Sequence, residues 1–283
     1  MARPELPSFD LVVATFGRVA QLERLLGSLA GQTHRRFRVL IVDQNEDASI
    51  ERVLAAHDGL DIVHLRSEPG LSRARNRGLA ELAGELVAFP DDDCVYPPDL
   101  LERVARRLAR EPGLDGLTGR SISPDGRSNA SWKLDPARLT DRNLWNRAIS
   151  YTIFLRRELV QRVGSFDEQL GLGSGTRWSS GEEIDYLVRA VRADGRITYD
   201  PDLTVVHDER QLPPEELRAR GYRDGASIGY LLRKYRYPPQ VVALRLVRPL
   251  GGTFLALVRL DTAQARFHAA TLRGRVDGIR GAP

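Results

Sequence analysis

Apolar residues occur in two patterns along the first half of the chain: short continuous runs, and stripes with a spacing of three or four residues. Short runs that are largely apolar, such as DLVVATF at 10–16 and the start of FRVLIVDQNED at 37–47, predict buried strands. Between them, segments with apolar residues three or four positions apart predict amphipathic helices. One such stripe consists of four leucines: Leu22, Leu25, Leu26 and Leu29. Strands that are apolar on both faces and alternate with helices predict a parallel sheet covered on both sides.

The alternation of strands and helices continues to about residue 112 and then weakens. Further strands are predicted at 61–67 and 85–93, and further helices at 49–57, 71–84 and 97–111. The later strand-like segments are GLDGLTGRSI, YTIFLRR, RITYDP and LTVVHD. A helix is predicted at 181–195 (GEEIDYLVRAVRADG). From about residue 215 the chain is predicted to be helical, with breaks at YPPQ and RPLGG.

These elements predict an α/β fold with a Rossmann-like, mostly parallel central sheet flanked by helices. The predicted organisation is a domain at 1–214, with halves at 1–112 and 113–214, and a helical basic extension at 215–283. In such sheets ligands bind beyond the carboxyl ends of the strands. Three polar groups fall at predicted strand ends: Thr15–Arg18, Asp43–Asn45 and Asp91–Asp93. We therefore expect these three groups to line one crevice.

Composition narrows the class of protein. The 283 residues are 42% hydrophobic and 28% charged, as in ordinary soluble domains. Cys94 is the single cysteine, which excludes an internal disulfide and favours a reducing, intracellular setting. The N-terminus lacks a secretory pattern. Apolar runs such as TFLALV at 253–258 are much shorter than the roughly 20 residues of a membrane span, so we expect a cytoplasmic protein with no spanning helix.

Charge is distributed unevenly along the chain. The net charge is +4, but residues 215–283 carry 13 Arg and Lys against 5 Asp and Glu. The rest of the chain is therefore slightly acidic, and the basic extension predicts an anionic partner. Two of its segments, ASIGYLLRKYRY and ALRLVRPLGGTFLALVRL, mix arginine with apolar residues as helices at a membrane surface do. No nucleic-acid motif is present in the sequence, so we expect no nucleic-acid partner.

The stretch VAFPDDDC at 87–94 places three carboxylates directly after a predicted buried strand. Adjacent carboxylates repel one another, and the repulsion increases as water is excluded. One interpretation is a solvated loop that caps a helix beginning near Pro98. The other is a divalent cation held by one or two carboxylates together with substrate phosphates. The position at the end of a parallel sheet favours the cation.

At this point the sequence resembles glycosyltransferase family 2, whose enzymes have the GT-A fold. The blocks that carry the resemblance are VVATFGRVAQLERLLGSLAGQ, VDQNEDAS and GLSRARNRGLAELAGELVAFPDDDC, in this order and spacing. The resemblance extends over about residues 10–210. It implies an inverting, metal-dependent transfer of a sugar from a nucleoside diphosphate sugar to a hydroxyl acceptor in polysaccharide or glycolipid synthesis.

The resemblance also implies roles for residues at the strand ends. Thr15 and Arg18 would line the nucleotide pocket, and Asp43 would hydrogen-bond the base. Arg75, in SRARNRG, would approach the base or the phosphates. Physically, a carboxylate accepts hydrogen bonds from an imide N–H, and arginine offsets phosphate charge.

The carboxylates themselves receive different roles from the resemblance. Asp91 would contact the ribose, and Asp92 belongs with the donor-binding residues. Asp93 would ligate Mn²⁺ or Mg²⁺ bridging the diphosphate. His207, in YDPDLTVVHDE, would complete the coordination, because neutral imidazole suits Mn²⁺. A lone histidine at a strand end can equally be structural.

The catalytic base is expected in the acidic block SGEEIDYLVRA. Its carboxylates, Glu182, Glu183 and Asp185, also suit the positive N-terminus of a helix, which is a purely structural explanation. Aligned on the family pattern Gly-Glu-Asp-x-Asp, Glu183 takes the place of the usual aspartate, so it is the first choice of base. Asp185 is the second choice.

The segment GLGSGTRW at 171–178 contains Gly-x-Gly-Thr-Arg, a pattern similar to the phosphate loop of sugar nucleotidyltransferases. In those enzymes the loop follows the first strand, whereas here it lies far downstream, so we interpret it as a flexible loop. Trp178 could stack on an acceptor sugar or pack in the core.

Two other functions stay open from the sequence. A sugar nucleotidyltransferase would have a related fold, and a membrane- or nucleic-acid-binding module would depend on the basic extension. The partners we expect are a nucleotide-sugar donor, a glycan or lipid-linked acceptor, and an anionic membrane surface bound by 215–283. In that case the protein would lie at the inner face of the plasma membrane.

Overall fold

The computed structural model describes residues 5–128, 132–208 and 212–281. In these ranges the strands are β1 (Phe9–Thr15), β2 (Phe37–Asp43), β3 (Ile62–Arg66), β4 (Leu86–Ala88), β5 (Cys94–Val95), β6 (Gly116–Ile122), β7 (Ala137–Arg138), β8 (Ile153–Arg156) and β9 (Ile197–His207). The α-helices are α1 (Val19–Ala30), α2 (Glu51–Ala55), α3 (Leu71–Leu79), α4 (Leu100–Arg110), α5 (Arg157–Val163), α6 (Glu182–Arg192), α7 (Pro214–Lys234), α8 (Pro239–Val258) and α9 (Thr262–Arg280).

The chain divides into two compact units that are discontinuous in sequence. The first unit consists of Met1–Pro69, Arg73–Phe166 and Tyr186–Glu209. The second consists of Gly70–Ser72, Asp167–Asp185 and Arg210–Pro283. Residues 167–185 thus belong to the same unit as the C-terminal helices. The functional boundary at 214/215 stays a prediction.

The strands of the first unit form one mixed sheet. Its order is β3-β2-β1-β4-β8-β6-β9-β5, with β7 paired to β9. The strands β1 to β4 pair in parallel, whereas β8 is antiparallel to both of its neighbours. The expected α/β fold with a helix-flanked central sheet and a helical C-terminal region is confirmed, and the sheet is parallel mainly in the N-terminal half.

The core of this unit lies between the sheet and the amphipathic helices. The four leucines of the α1 stripe are completely buried, as the spacing predicted. Val12, Val13 and Ile41 in the first two strands are also completely buried. Burial of a branched aliphatic side chain stabilises the fold by about 2 kcal/mol. Helix α1 and strands β1 and β2 therefore hold the start of the sheet in place.

Strand β9 differs from the prediction, because one long strand replaces the two predicted at 196–201 and 203–208. Its pairing with β6 continues across a register shift between Thr118 and Arg120. A Cβ atom at Gly119 would lie only 2.0 Å from the carbonyl oxygen of Leu203. The absent side chain therefore permits the close approach that keeps β9 continuous.

In the second unit, the predicted break at YPPQ is confirmed, since α7 ends at Lys234 and α8 begins at Pro239. The predicted break at RPLGG is wrong, because α8 continues through Pro249. Proline has no N–H to donate to the carbonyl four residues earlier, which is that of Arg245. The guanidinium of Arg275 on α9 donates to that carbonyl instead. A contact from another helix thus replaces the missing bond.

Helices α7 and α9 approach each other closely through glycine. Gly221, Gly225 and Gly229 recur at every fourth position of α7 and face α9. A Cβ atom at Gly225 would lie 2.3 Å from the carbonyl oxygen of Thr271, and one at Gly229 would lie 2.2 Å from that of Arg275. The two backbones are therefore in direct contact along this line.

This contact predicts opposite effects for two glycine substitutions. Gly225→Ala should lower the free energy of unfolding by about 1–3 kcal/mol, because the added methyl group overpacks the α7–α9 contact. Gly251→Ala on α8 is the matched control, since a Cβ atom added there would meet no neighbouring element within 4 Å. It should be neutral or stabilising by about 0.5 kcal/mol, because alanine favours helix. Chemical denaturation measures both, and equal effects would contradict the packing.

Candidate functional site

The first carboxylate after β4, Asp91, is held by two donors from the first unit. Arg75 on α3 donates from Nη2 to Oδ1 over 3.0 Å. The Ser150 hydroxyl lies 3.1 Å from both carboxylate oxygens. The Arg75 side chain is only 2% exposed, and its guanidinium lies over the Phe166 ring at 5.4 Å from the centroid. Arg75 is thus a buried cation paired with Asp91.

The second carboxylate, Asp92, faces the end of β1. Thr15 donates its hydroxyl to Oδ2 over 2.9 Å, and Arg18 donates from Nη1 to Oδ1 over 3.1 Å. Thr15 is also opposite Asp43 in the register of β1 and β2. The three polar strand ends that the sequence singled out therefore meet at one edge of the sheet.

The third carboxylate, Asp93, lies between an arginine and a histidine. Its Oδ2 is 2.5 Å from Nη1 of Arg18, and its Oδ1 is 3.1 Å from Nε2 of His207. Pairing of β5 with β9 places Cys94 opposite His207, which brings the histidine to the aspartate. The imidazole stacks on Tyr151 with ring centroids 5.0 Å apart.

These surroundings shift the pKa values of the three carboxylates in different directions. Burial raises the pKa of Asp92 to about 6, although Arg18 and the Thr15 hydroxyl oppose the shift. Burial likewise raises the pKa of Asp91 against the opposing charge of Arg75. Burial would also raise the pKa of Asp93, but the contacts with His207 and Arg18 outweigh it and lower the value. Asp93 is therefore the carboxylate that stays charged most readily.

Asp43, at the end of β2, is completely buried and accepts hydrogen bonds from several donors. Asn45 donates from its backbone N–H and its side-chain amide over 2.9 and 2.7 Å. His64 Nε2 and Arg66 Nη1 lie 3.0 and 2.9 Å from Oδ2. Four partners occupy the usual capacity of a carboxylate. A nucleobase that bound Asp43 directly would have to displace one of them.

The residues around Asp93 fit a divalent cation in part. Asp93 supplies oxygen and His207 supplies nitrogen, a donor set that suits Mn²⁺ or Mg²⁺ when phosphate and water oxygens complete the shell. Within residues 5–128, 132–208 and 212–281, no group of three or more His, Cys, Asp or Glu is arranged to hold a metal ion. The protein itself would thus supply two ligands, and the others would have to come with the substrate.

The three acidic residues of α6 differ in exposure. Glu182 is 6% exposed and Asp185 is completely buried, whereas Glu183 is half-buried. All three lie in the first turn of the helix, where the dipole stabilises negative charge. Glu183 is thus the carboxylate of this block that solvent reaches best.

Asp185 is bound to the end of α7, a contact that the sequence analysis missed. Lys234 Nζ lies 2.6 Å from Asp185 Oδ1 and 2.7 Å from Asp167 Oδ2. The Tyr235 hydroxyl donates to the same Asp185 oxygen over 2.6 Å. Burial would lower the pKa of Lys234, but its two carboxylate partners raise it. The sequence offered one signal that Lys234 has a special role, because Lys133 and Lys234 are the only lysines among 42 basic residues.

Trp178 is a packing residue, which corrects the predicted role in stacking on an acceptor sugar. Its side chain is completely buried. The indole stacks on Tyr230 with centroids 4.9 Å apart, and the Arg177 guanidinium lies 4.7 Å from the ring centroid. A sugar ring therefore cannot reach it without rearrangement of the second unit.

Comparison with known families identifies the chain. The model of the family described as "Glycosyl transferase family 2" matches residues 10–164, more than half of the sequence. The chain belongs to glycosyltransferase family 2. The match includes the three carboxylates and both arginines described above, and it ends before α6. The resemblance seen in the sequence blocks is thus confirmed.

This family 2 chain is similar to known proteins both in sequence and in structure. The pre-mycofactocin glycosyltransferase of Mycobacterium tuberculosis is 26% identical over 97% of the chain, which spans 59% of that protein's length. The mannosyltransferase PcManGT from Pyrobaculum calidifontis, solved with GDP-Man and Mn²⁺, matches this chain with a TM-score of 0.67 at 16% sequence identity. The match covers 98% of this chain and 88% of the mannosyltransferase chain. Staphylococcus aureus TarS with UDP-GlcNAc has a TM-score of 0.64 at 18% identity, covering 95% and 91%.

The buried ion pair of Asp185 predicts an unequal effect for the two lysines. Lys234→Met should lower the free energy of unfolding by about 3 kcal/mol, because it leaves a buried carboxylate without its main cation. Lys133→Met, at an exposed position, should change it by less than about 0.5 kcal/mol. Denaturant titration of both variants measures the difference, and similar losses would rule out a stabilising role for the pair.

Proposed function

We propose that this family 2 chain is an inverting, metal-dependent glycosyltransferase that moves a sugar from a nucleoside diphosphate sugar to a hydroxyl acceptor. The observation that carries the proposal is the pair formed by Asp93 and His207 at the carboxyl edge of the sheet, next to Asp91 and Asp92. The pre-mycofactocin glycosyltransferase among the relatives, and the GDP-Man and UDP-GlcNAc complexes of the structural neighbours, support the same chemistry.

The donor would bind along the strand ends of the first unit. A ribose hydroxyl suits Asp91, because its carboxylate is already oriented by Arg75 and Ser150. The base would bind at the cluster around Asp43 by replacing one of its present donors. Arg18 is 44% exposed, so its guanidinium can turn from the aspartates to the diphosphate.

A divalent cation, Mn²⁺ or Mg²⁺, would be held by Asp93 and His207. When bound, such an ion offsets the charge that builds on the departing diphosphate. Asp93 is suited to this role because its carboxylate oxygens face both His207 and the half-exposed Arg18, a partner that can move away when an ion binds. His207 must be neutral to ligate a metal, so protonation of this imidazole would weaken the site.

Glu183 is our choice of base. It would accept the proton of the acceptor hydroxyl as the oxygen attacks the anomeric carbon on the side opposite the leaving diphosphate. Its partial exposure supports this role, whereas Asp185 is buried against Lys234 and Tyr235. Glutamate is one methylene longer than the aspartate that is usual in the family, so the carboxylate would reach further from the helix than in the family pattern.

We also propose that the acceptor is a glycan or a lipid-linked precursor at the inner face of the plasma membrane. The basic composition of 215–283 supports such a location, since anionic lipids attract arginine-rich segments. The same location would suit a cell-surface glycan pathway.

The metal role predicts the behaviour of Asp93→Ala. This variant should lose metal-dependent donor turnover, and Mn²⁺ with nucleotide sugars should no longer raise its thermal unfolding temperature. Asp58→Ala is the control, because Asp58 is exposed on the surface. The assay should detect release of nucleoside diphosphate, whereas pyrophosphate from a nucleoside triphosphate would indicate a nucleotidyltransferase. Near-normal turnover by Asp93→Ala would refute the assignment.

The base role predicts a separation of binding from catalysis. Glu183→Gln should reduce transfer by a factor of about 10²–10⁴ while donor binding stays intact, since the amide cannot accept the proton. Glu182→Gln is the matched comparison in the same helical turn. Single-turnover transfer and donor titration measure the two properties. Full activity of Glu183→Gln would move the role to another carboxylate of the block.

A further inference from the structure

Helix α8 exposes a broad apolar surface. Seven large apolar side chains on it are between 48% and 71% exposed: Leu244, Val247, Leu250, Phe254, Leu255, Leu257 and Val258. We call these seven residues the exposed α8 face. At 3.6 residues per turn they fall within roughly half of the helix circumference and so lie on one side of the helix. Contiguous apolar surface of this kind usually marks a binding site for a protein or a membrane.

The opposite side of α8 is already occupied by α9. Ala256 is buried, and a Cβ atom at Gly252 would lie 2.9 Å from the ring of His268. Arg275 of α9 also donates to the carbonyl of Arg245, the group that Pro249 leaves without a donor. Helix α8 is therefore anchored along α9, and the orientation of its exposed face follows from these contacts.

Of the two tail segments that resemble interfacial helices, the structure leaves only one available. In the first segment, Tyr230, Leu231 and Leu232 on α7 are buried. In the second segment, which contains α8, about a tenth of the apolar stretch is buried. A membrane contact through the apolar residues of the tail would thus have to use α8.

The charged residues of α8 itself are both arginines, Arg245 and Arg248, and the nearest carboxylate along the chain is Asp261 at the start of α9. Residues 225–260 contain no Asp or Glu, and besides Lys234, which pairs with Asp185 and Asp167, their basic residues are all arginines: Arg233, Arg236, Arg245, Arg248 and Arg259. Arg248 is exposed one turn after Leu244 and two turns before Leu255, so it borders the exposed α8 face. Burial lowers the pKa of Arg275 to about 10, and the neighbouring Arg245 and Arg248 lower it further.

We propose that the exposed α8 face docks on the surface of an anionic lipid bilayer, with the helix lying in the plane of the membrane. Phe254 and its apolar neighbours would enter the boundary between headgroups and acyl chains. Arg248 and Arg259 would bind lipid phosphates at the rim. An apolar stripe bordered by arginine is the pattern of helices that bind the membrane interface.

Charge and packing favour docking on a bilayer surface over two alternatives, which are contact with a second copy of the chain and a membrane-spanning α8. Two copies of the chain meeting through α8 would bring two basic segments together without a carboxylate from 225–260 to neutralise them. Helix α8 has 20 residues and is long and apolar enough to cross a bilayer. However, spanning would carry the packed α9 into the hydrocarbon together with its exposed Arg266 and Arg273, where charged side chains are unfavourable.

Vesicle sedimentation of the full chain tests the proposal. At about 0.05 M salt the protein should bind phosphatidylcholine vesicles that contain about a third phosphatidylglycerol, and about 0.5 M salt should weaken binding roughly tenfold. The double variant Leu250→Gln/Phe254→Gln should bind at least about tenfold more weakly, because two inserted apolar groups are lost. Arg248→Gln should weaken binding to anionic vesicles by about fivefold.

Two control variants match these changes elsewhere on the surface. Leu134→Gln changes a leucine that is 71% exposed in the first unit, and Arg110→Gln changes an exposed arginine. Both should bind like the parent. Asp93→Ala should also bind like the parent, so failure of the proposed transfer reaction and failure of membrane docking can be told apart.

Three results would overturn the proposal. The first is unchanged vesicle binding by a folded Leu250→Gln/Phe254→Gln variant. The second is a dimer in solution that this variant abolishes, without vesicle binding by the parent, which would assign the face to a second copy. The third is binding that resists both high salt and alkaline carbonate, which would identify α8 as a spanning helix.

Discussion

The structure depends on the way in which three adjacent carboxylates are neutralised at the end of a buried strand. Asp91 faces Arg75, and Asp92 and Asp93 share Arg18. Without these partners, burial of three negative charges side by side would be strongly unfavourable. The partners come from α3 and from the residues after β1, so the cluster also joins elements that are distant in sequence. The same arrangement keeps the polar ends of several strands at one edge of the sheet.

This neutralisation is compatible with an exchange of charges when a donor binds. In the proposed reaction, a nucleoside diphosphate would bring negative charge and a divalent cation would bring positive charge, so the balance around Asp93 would change little. Arg18 is half-exposed and could follow the phosphates of the proposed donor, whereas Arg75 is buried against Asp91. The site thus combines a fixed cation with a movable one. Such preorganisation reduces the rearrangement that binding requires.

The second unit is organised by contacts of the backbone itself. Glycines on α7 allow the backbone of α9 to approach closely, and Arg275 supplies the hydrogen bond that Pro249 cannot. Because α8 remains one helix through Pro249, its apolar residues form a continuous face instead of two short ones. Lys234 meanwhile joins the end of α7 to Asp185 and Asp167. One helical unit therefore supports both the acidic turn of α6 and the exposed surface of α8.

The sequence by itself determined the early strands, the stripe of α1 and the meeting of Thr15, Asp43 and Asp92, because periodicity and strand ends are local properties and parallel strands end at a common edge. Only the tertiary structure decided which partner each side chain meets. Pairing of β5 with β9 brings His207 to Asp93, and packing of α7 buries Trp178 and ties Asp185 to Lys234. These contacts join residues that lie far apart along the chain, and no local pattern encodes them. The continuity of α8 has the same origin, since a donor from another helix compensates for its proline.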